Sequence, residues 1–262
     1  MNTAQPYLSP NRELREQEFF NEVFRDNARE AVIGKFYSVT ASSVARYHAL
    51  ILHNCRGKRS LECGCGPGGV TFNLAAAGAT ATAIDISDVA IEACRSKARA
   101  KRISADFVQM NAEQTTFAPG SFDIVCGNGI LHHLDVRKAL AEFARLMKPD
   151  GRGVFLEPLG HNRIINLYRW LTPALRTIDE HPLLTRDVHL AREYFAEVDV
   201  TFYHFTSLAA VPFRFTRAFA RLNATFERLD EWLFRTFPWC AKYAWISVIH
   251  LRRPRINLGA GA

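Results

Sequence analysis

A glycine-rich stretch offers a loop whose backbone can bind a ligand. Residues 61–69 read LECGCGPGG, and Gly64, Gly66 and Gly69 follow the spacing G-x-G-x-x-G. Glycines permit a tight turn and let a ligand approach the main chain closely. A helix that follows the loop would add the positive end of its dipole. The loop is therefore a candidate nucleoside or dinucleotide site, although the same glycines would also suit a turn without a ligand.

An acidic residue follows the loop at the distance expected of a ribose-binding group. Asp85 lies 21 positions after Gly64, at the end of the alternating segment ATATAID over 79–85. A carboxylate at this place can accept hydrogen bonds from ribose hydroxyls. Taken alone, the pattern fits an NAD-dependent oxidoreductase and also a non-catalytic module that binds a cofactor.

Histidines supply the candidates for acid–base chemistry. His132 and His133 are adjacent in the chain, and an imidazole titrates near neutrality and can take a proton from a hydroxyl group. His161 and His181 lie in the polar segment after the fifth predicted strand. All four are weak catalytic candidates, because a structural role fits each of them as well. No metal site is predicted, since no further ligands stand near the pair in the sequence.

Alternating strand and helix patterns indicate how these residues are brought together. The predicted strands cover 59–63, 79–85, 105–110, 122–127 and 152–157. The predicted helices between them cover 70–77, 88–100 and 136–147, with Ser87 and Asp135 as N-caps. Such alternation predicts a parallel sheet with helices on both faces.

The two ends of the chain depart from this alternation. Residues 1–57 are predicted to form a helical N-terminal cap, with helices at 13–24 and 39–53. Residues 58–262 are the predicted main domain, in which a helical insertion at 206–243 separates strands at 198–205 and 244–251. Large apolar residues recur at helical spacing between 213 and 237, namely Phe215, Phe219, Leu222, Phe226, Leu229, Leu233 and Phe237.

The insertion is also basic. Its other side carries Arg214, Arg217, Arg221, Arg228 and Arg235. The net charge of the chain is +7, and residues 158–262 hold 14 Lys and Arg against 9 Asp and Glu. We expect the insertion to be a lid over an apolar acceptor, with docking on an anionic membrane and a solvated basic face as the alternatives. No nucleic-acid partner is expected, because no recognised binding motif accompanies the charge.

The composition excludes several classes of protein. The chain has 262 residues, of which 48% are apolar and 23% charged, and this balance excludes disorder as the main state. No apolar run approaches the ~20 residues needed to span a bilayer. The N-terminus lacks the apolar stretch of a secretory signal, and the six cysteines include no CxxC pair. These features predict a cytoplasmic location with reduced thiols, with peripheral membrane contact as a variant.

Residues 58–157, and more loosely 244–251, resemble the class I S-adenosylmethionine-dependent methyltransferases, in particular the small-molecule enzymes of methyltransferase type 11. The resemblance is carried first by LECGCGPGG, where Glu62 stands at a position that dinucleotide-binding folds usually keep apolar and Pro67 lies inside the loop. It implies an α/β fold, a three-layer sandwich with a mostly parallel seven-stranded Rossmann-like sheet. It also implies that the last strand, at 244–251, is antiparallel.

The resemblance implies S-adenosylmethionine as the cofactor and a set of residues that bind it. Asp85 matches the acid that binds both ribose hydroxyls, and Ile86 matches the apolar residue against the adenine. Asn111 stands where the family commonly has Asp, but an amide can still pair with an adenine edge. The implied cofactor-binding residues are Glu62, Gly64, Cys65, Gly66, Gly68, Asp85, Ile86, Asn111, Ala112 and Asn128.

The expected function is methyl transfer to a small, apolar acceptor, with O-, N- and C-methylation all open. The stretch that begins at Asn128 lacks the Asn- or Asp-Pro-Pro-aromatic signature of the DNA-methylating relatives, which argues against methylation of a base amine. An oxidoreductase and a non-catalytic binding module remain the alternatives.

Overall fold

The computed structural model describes residues 12–25, 36–173, 177 and 179–255. Parts of the predicted N-terminal cap, residues 1–11 and 26–35, lie outside the described residues, as does the C-terminal segment 256–262.

Seven strands form one sheet. They are β1 (Arg59–Cys63), β2 (Thr80–Asp85), β3 (Asp106–Gln109), β4 (Phe122–Asn128), β5 (Met147–Pro158), β6 (Phe195–Tyr203) and β7 (Ile246–Pro254). The strand order is β3-β2-β1-β4-β5-β7-β6. Strands β1 to β5 pair in parallel, whereas β7 is antiparallel to both β5 and β6. The predicted fold class, including the antiparallel last strand, is confirmed.

Eight α-helices accompany the sheet in the described part of the chain. They are α1 (Arg12–Arg25), α2 (Ala41–Leu52), α3 (Thr71–Ala76), α4 (Asp88–Lys101), α5 (Val136–Leu146), α6 (Arg163–Leu171), α7 (Thr185–Tyr194) and α8 (Phe219–Thr236). Short 3-10 helices cover Leu131–His133, Thr206–Phe213 and Pro238–Tyr243. Both predicted N-caps are confirmed, because Ser87 accepts from Ala90 N and Asp135 accepts from Arg137 N and Lys138 N.

Apolar cores on both faces of the sheet produce the three layers. Successive strand residues point to opposite faces, so Val154 and Phe155 of β5 belong to different core clusters. On one face the rings of Phe143, from α5, and Phe155 stack with centroids 4.9 Å apart. On the other face Tyr47 of α2 is fully buried. The helices on each side hold the sheet in place and leave the carboxyl ends of the parallel strands at one edge.

The insertion differs from its prediction. The expected continuous helix over 213–237 begins only at Phe219, because a 3-10 helix that contains Pro212 and the turns after it precede α8. Phe215 therefore stands apart from the helix and is 87% exposed. The apolar face is partly core, since Phe219, Leu222 and Phe226 pack against the α2 side of the sheet.

One buried acid fastens α8 to the segment before it. Asp230, which is 3% exposed, accepts hydrogen bonds from Phe205 N at 3.0 Å and from Thr206 N and Oγ1 at 2.6 Å. Such bonds satisfy the free amides at the start of the 3-10 helix. Asp230 thus attaches α8 to the start of the insertion. Among the helices in the described ranges, none is both long and apolar enough to cross a membrane.

Candidate cofactor and acceptor site

A cavity of about 830 Å³ lies where the parallel strands end. Gly64, Asp85, Met110, Asn128 and Pro158 all line it, and each stands at or just after the carboxyl end of one of the strands β1 to β5. This edge is where ligands bind in open α/β sheets. The size falls within the range of roughly 300–1,000 Å³ that is typical of small-molecule sites.

The glycine loop forms one wall of the cavity. Gly64 and Gly66 line it with φ angles of +70° and +49°, a backbone conformation that favours glycine. A Cβ at Gly64 would lie 2.6 Å from the Ile130 side chain, so the strand end and the segment after β4 can approach only without one. Cys65 lies between them and also lines the cavity.

Glu62 and Gly68 do not line the cavity, although the resemblance implied both as cofactor-binding residues. The buried Glu62 carboxylate accepts from Val70 N and Thr71 N at 2.8 Å and from Thr71 Oγ1 at 2.6 Å. Burial raises the pKa of Glu62 to about 7. Glu62 therefore holds the start of α3 against β1 and fixes the loop from behind. A Cβ at Gly69 would collide with that carboxylate.

Asp85 closes the second strand with its carboxylate at the cavity wall. It is 8% exposed and accepts from Gly66 N at 2.8 Å and from Ser87 N at 2.9 Å. Burial raises the pKa of this carboxyl, and the two backbone amides oppose the change. A carboxylate has about four lone-pair positions, so two remain for a pair of ligand hydroxyls.

Ile86, Asn111 and Ala112, which the resemblance implied as cofactor-binding residues, line the cavity next to Asp85. The Asn111 amide donates to Glu13 Oε1 at 2.7 Å, and its oxygen accepts from Glu113 N at 2.8 Å. An Asp at this position would place two carboxylates against each other. The neighbouring acid in α1 therefore explains why the chain carries an amide where the family commonly carries an acid.

Another part of the cavity wall is built around the histidine pair. Asn128 and Gly129 lead into the 3-10 helix that carries His132 and His133, whose ring centroids lie 4.1 Å apart. His132 Nδ1 lies 2.8 Å from Glu157 Oε2, and Glu157 Oε1 accepts from the backbone amides of Ile130 and Leu131 at 2.9 Å.

Burial disfavours the charged forms of both His132 and Glu157. It lowers the pKa of His132 well below its usual value and raises the pKa of Glu157 to about 7. When Glu157 is ionised and His132 is neutral, His132 donates its Nδ1 proton to the carboxylate and keeps a lone pair on Nε2. The imidazole is thus fixed in orientation and can accept a proton or a metal.

The other two histidine candidates fall outside the cavity wall. His161 Nε2 lies 3.2 Å from Thr185 Oγ1, at the start of α7. His181 does not line the cavity either, but its backbone amide donates to His132 O at 2.9 Å. Of the four sequence candidates, only His132 and His133 therefore face the site.

That backbone bond brings in an acid that sequence spacing did not reveal. Glu180 lines the cavity, and its carboxylate, His132 and His133 offer ligand atoms that all lie within 4.8 Å of one another. Glu180 is distant from the histidines along the chain, so the sequence indicated no ligand near them. A contact made through backbone hydrogen bonds leaves no sequence pattern.

Helix α1 was predicted at 13–24 as part of the N-terminal cap, but its place at the site was not predicted. It covers the cavity with Glu13, Glu16, Phe20, Val23 and Phe24. No residue of the predicted lid at 206–243 lines the cavity, so the cover comes from the other end of the chain. The apolar triplet Phe20, Val23 and Phe24, at helical spacing, is the signal that could have identified it.

Polar bonds fasten α1 to three separate elements. Arg15 donates to both carboxylate oxygens of Asp179, at 2.8 and 2.9 Å. Asn21 bridges Asp88 at 2.8 Å and Ser87 at 2.5 Å, at the start of α4. Further along the cavity, Arg12 pairs with Glu113 after β3.

Comparisons with known proteins agree with this geometry. Residues 61–155 match the family model described as a methyltransferase domain. The chain is 37% identical over 108 residues to a ubiquinone biosynthesis O-methyltransferase of Thiobacillus denitrificans, covering 40% of this chain and 46% of that protein. The corresponding protein of Methylococcus capsulatus is 34% identical over 114 residues, covering 43% and 47%. The matches thus span about half the length of these curated relatives.

Solved structures share the fold at low identity. Geranyl diphosphate C-methyltransferase from Streptomyces coelicolor A3(2) has a TM-score of 0.62 at 14% identity, covering 95% of this chain and 99% of that one. Phosphoethanolamine N-methyltransferase 2 from Haemonchus contortus has a TM-score of 0.63 at 14% identity, covering 90% and 60%. The matched segment 61–155 contains the glycine loop, Asp85 and the histidine pair, and the chain shares the fold of these solved methyltransferase structures.

Proposed function

We propose that this protein binds S-adenosylmethionine and transfers its methyl group to a small-molecule acceptor. The observation that carries the proposal is one cavity whose lining has two chemically different parts. The glycine loop and Asp85 form one part, and the histidine pair with Glu180 forms the other. We assign the first part to a nucleoside cofactor, as the cofactor end, and the second to the acceptor, as the acceptor end.

The residues at the cofactor end have distinct proposed tasks. The two remaining lone-pair positions of Asp85 accept the ribose hydroxyls, while the positive-φ glycines let the ligand approach the main chain. Ile86, Asn111 and Ala112 contact the adenine, and Cys65 and Asn128 line the path toward the histidines. Glu62 and Gly68 support the loop without contact. When bound, the cofactor supplies a methyl group already activated by its sulfonium.

The acceptor end supports a mostly apolar molecule with one polar group. Aromatic side chains line it in addition to the histidines, namely Phe20, Phe36, Tyr37, Tyr168 and Trp245. The polar group would lie against His132, whose free nitrogen can accept a proton. This chemistry favours a hydroxyl, and we therefore propose oxygen as the methylated atom. The O-methyltransferases among the relatives agree with that choice.

Alignment of donor and acceptor accounts for most of the proposed catalysis. Holding two reactants in a near-attack geometry can lower a barrier by roughly 7–11 kcal/mol. Helix α1 lines the cavity and covers part of it, which would help to hold the two reactants in place. The chain therefore does not depend on a strong catalytic base.

Isotope transfer tests the proposal. The protein is incubated with a small-molecule extract and methyl-labelled S-adenosylmethionine, and the products are followed by mass spectrometry. We expect labelled methyl in at least one small molecule, together with S-adenosylhomocysteine. Calorimetry should show binding of S-adenosylmethionine and none of NADH. Binding of NADH alone would favour the oxidoreductase, and cofactor binding without any labelled product would favour a non-catalytic module.

We also propose peripheral contact of the insertion with an anionic membrane. Phe215, Trp232 and Trp239 are 87%, 47% and 65% exposed beside the arginines of this segment. Exposed aromatic residues with a basic face are typical of helices that lie on anionic bilayers. The cytoplasmic location stays a prediction that accompanies this proposal.

Vesicle flotation tests the membrane contact. The triple variant R214Q/R217Q/R221Q should lose roughly a hundredfold in partitioning to anionic vesicles, since each basic residue near the surface contributes about 1 kcal/mol. The variant R99Q/R137Q/R186Q removes the same charge from exposed sites elsewhere and should keep most of the binding. If the wild-type protein floats with neither anionic nor neutral vesicles at low salt, the contact does not exist.

A further inference from the structure

Three side chains at the acceptor end converge as metal ligands do. Ligand atoms of His132, His133 and Glu180 all lie within 4.8 Å of one another, and all three residues line the cavity. Two imidazoles and one carboxylate form the ligand set of several catalytic zinc sites and of non-haem iron sites. In those sites the remaining coordination positions stay open to the substrate.

The surroundings of His132 match those of a metal-binding histidine. Such residues usually bond their second ring nitrogen to a carboxylate or carbonyl, which fixes the tautomer and the ring. His132 Nδ1 lies 2.8 Å from Glu157, and this leaves Nε2 as the ligand atom. The backbone bond from His181 N to His132 O, at 2.9 Å, holds the loop with Glu180 beside the ring.

The charge balance of the pocket points to a cation. Glu16 is 5% exposed, and among the described residues neither of its carboxylate oxygens has a hydrogen-bond partner. One of these oxygens lies 3.2 Å from His133 Nδ1. Glu16, Glu157 and Glu180 thus place three carboxylates near the two imidazoles, while Arg12 and Arg169 are the arginines among the described residues that line the cavity. Buried charges are normally paired or bound to metal.

We propose that His132, His133 and Glu180 bind a divalent transition-metal cation, with Glu157 bonded to the first imidazole and Glu16 close to the second. The cation would bind the acceptor oxygen on its open face and make its proton easier to lose. With Nε2 of His132 bound to the cation, this imidazole no longer takes the proton, and the acceptor hydroxyl releases it to water. A lone pair of the oxygen forms the new C–O bond as the methyl C–S bond breaks, and the electron pair of that bond goes to sulfur. The products are the methyl ether and S-adenosylhomocysteine.

The transfer step rests on the proposed function, but cation binding does not, so the first test uses the full chain without cofactor. The protein, freed of metal with a chelator, is titrated with Zn²⁺ by calorimetry and with Co²⁺ by visible absorption. We expect one Co²⁺ per chain. The spectrum should show the visible bands of nitrogen and oxygen ligation and lack the near-ultraviolet bands of a cobalt–thiolate bond.

Matched variants locate the site. Glu180→Gln and His133→Asn should each weaken Zn²⁺ binding by at least about tenfold, since even residues that only support a ligand contribute that much. Glu92→Gln and His189→Asn remove the same groups from exposed helix positions and should bind like the wild type. Circular dichroism and thermal melting show whether each variant folds.

The contrary outcomes are distinct. Absence of Zn²⁺ and Co²⁺ binding in the wild type, thiolate bands in its cobalt spectrum, or equal affinity in all four variants would each overturn the proposal. The wild-type spectrum decides the matter even if a variant does not fold. Calorimetry with S-adenosylmethionine on the same preparation separates the two claims, because cofactor binding without metal binding would refute only the metal site.

Discussion

Asp85 and Asn111 show how far a single residue can be predicted from its place in the sequence. Asp85 was identified because the end of the second strand is a fixed position in this fold, and the structure places it at the cavity wall. Asn111 also lies where expected, but its bond to Glu13 depends on α1, which no local pattern of the strand reveals. Glu62 shows a different case. It stands at the expected motif position, but its carboxylate holds the start of α3 and does not line the cavity.

A side chain at Gly66 should separate a ligand site from a simple turn. Gly66→Val adds a branched side chain at φ +49°, and its Cβ would lie 3.5 Å from the Phe24 ring. The new methyl groups would fill the space between the loop and α1. We expect loss of detectable S-adenosylmethionine binding by calorimetry, with a folded far-ultraviolet spectrum.

Gly120→Val is the matched control for that change. Gly120 has φ +63° and no atom within 4 Å of an added Cβ, so the variant brings the same backbone strain at a distant site. We expect both variants to melt earlier and only Gly66→Val to lose the cofactor. Near-normal affinity in Gly66→Val would mean that the loop is only a turn.

At the scale of elements, the regular sheet was predictable and the cover of the site was not. Strand patterns located β1 to β4 to within one or two residues, because buried parallel strands are short apolar runs between turn signals. The sequence pattern of α8 correctly predicted an amphipathic helix but gave no information about which surface it covers. The position of α1 over the cavity depends on long-range bonds such as Arg15–Asp179. The periodicity of the sequence does not predict such bonds.

Breaking that pair should loosen α1. Arg15→Ala leaves the buried Asp179 carboxylate without its two guanidinium bonds. We expect faster amide hydrogen exchange in residues 12–25 and several-fold faster release of S-adenosylmethionine. Arg137→Ala, which breaks an exposed pair with Glu193, is the control and should change neither. Unchanged exchange and release in Arg15→Ala would mean that α1 does not govern access.

At the scale of the whole molecule, one fold combines a buried site with a basic outer face. The cavity lies at the carboxyl edge of the sheet, and the arginine-rich insertion belongs to a separate surface that contributes nothing to its lining. Most of the basic residues in the second half of the chain therefore lie outside the lining of the cavity. The matches to curated relatives cover about half their length, and the segment that matches the methyltransferase-domain model includes the glycine loop and the histidine pair.

The most direct test of the central claim is the affinity of Asp85→Ala for S-adenosylmethionine. The substitution removes two proposed charge-assisted hydrogen bonds to the ribose, each worth about 1.5–3 kcal/mol. Calorimetry should show affinity at least tenfold weaker than in the wild type. Asp106→Ala, which removes an exposed carboxylate at the start of β3, should bind normally. Asp85→Ala that folds and binds S-adenosylmethionine as tightly as the wild type would contradict the assignment of the site.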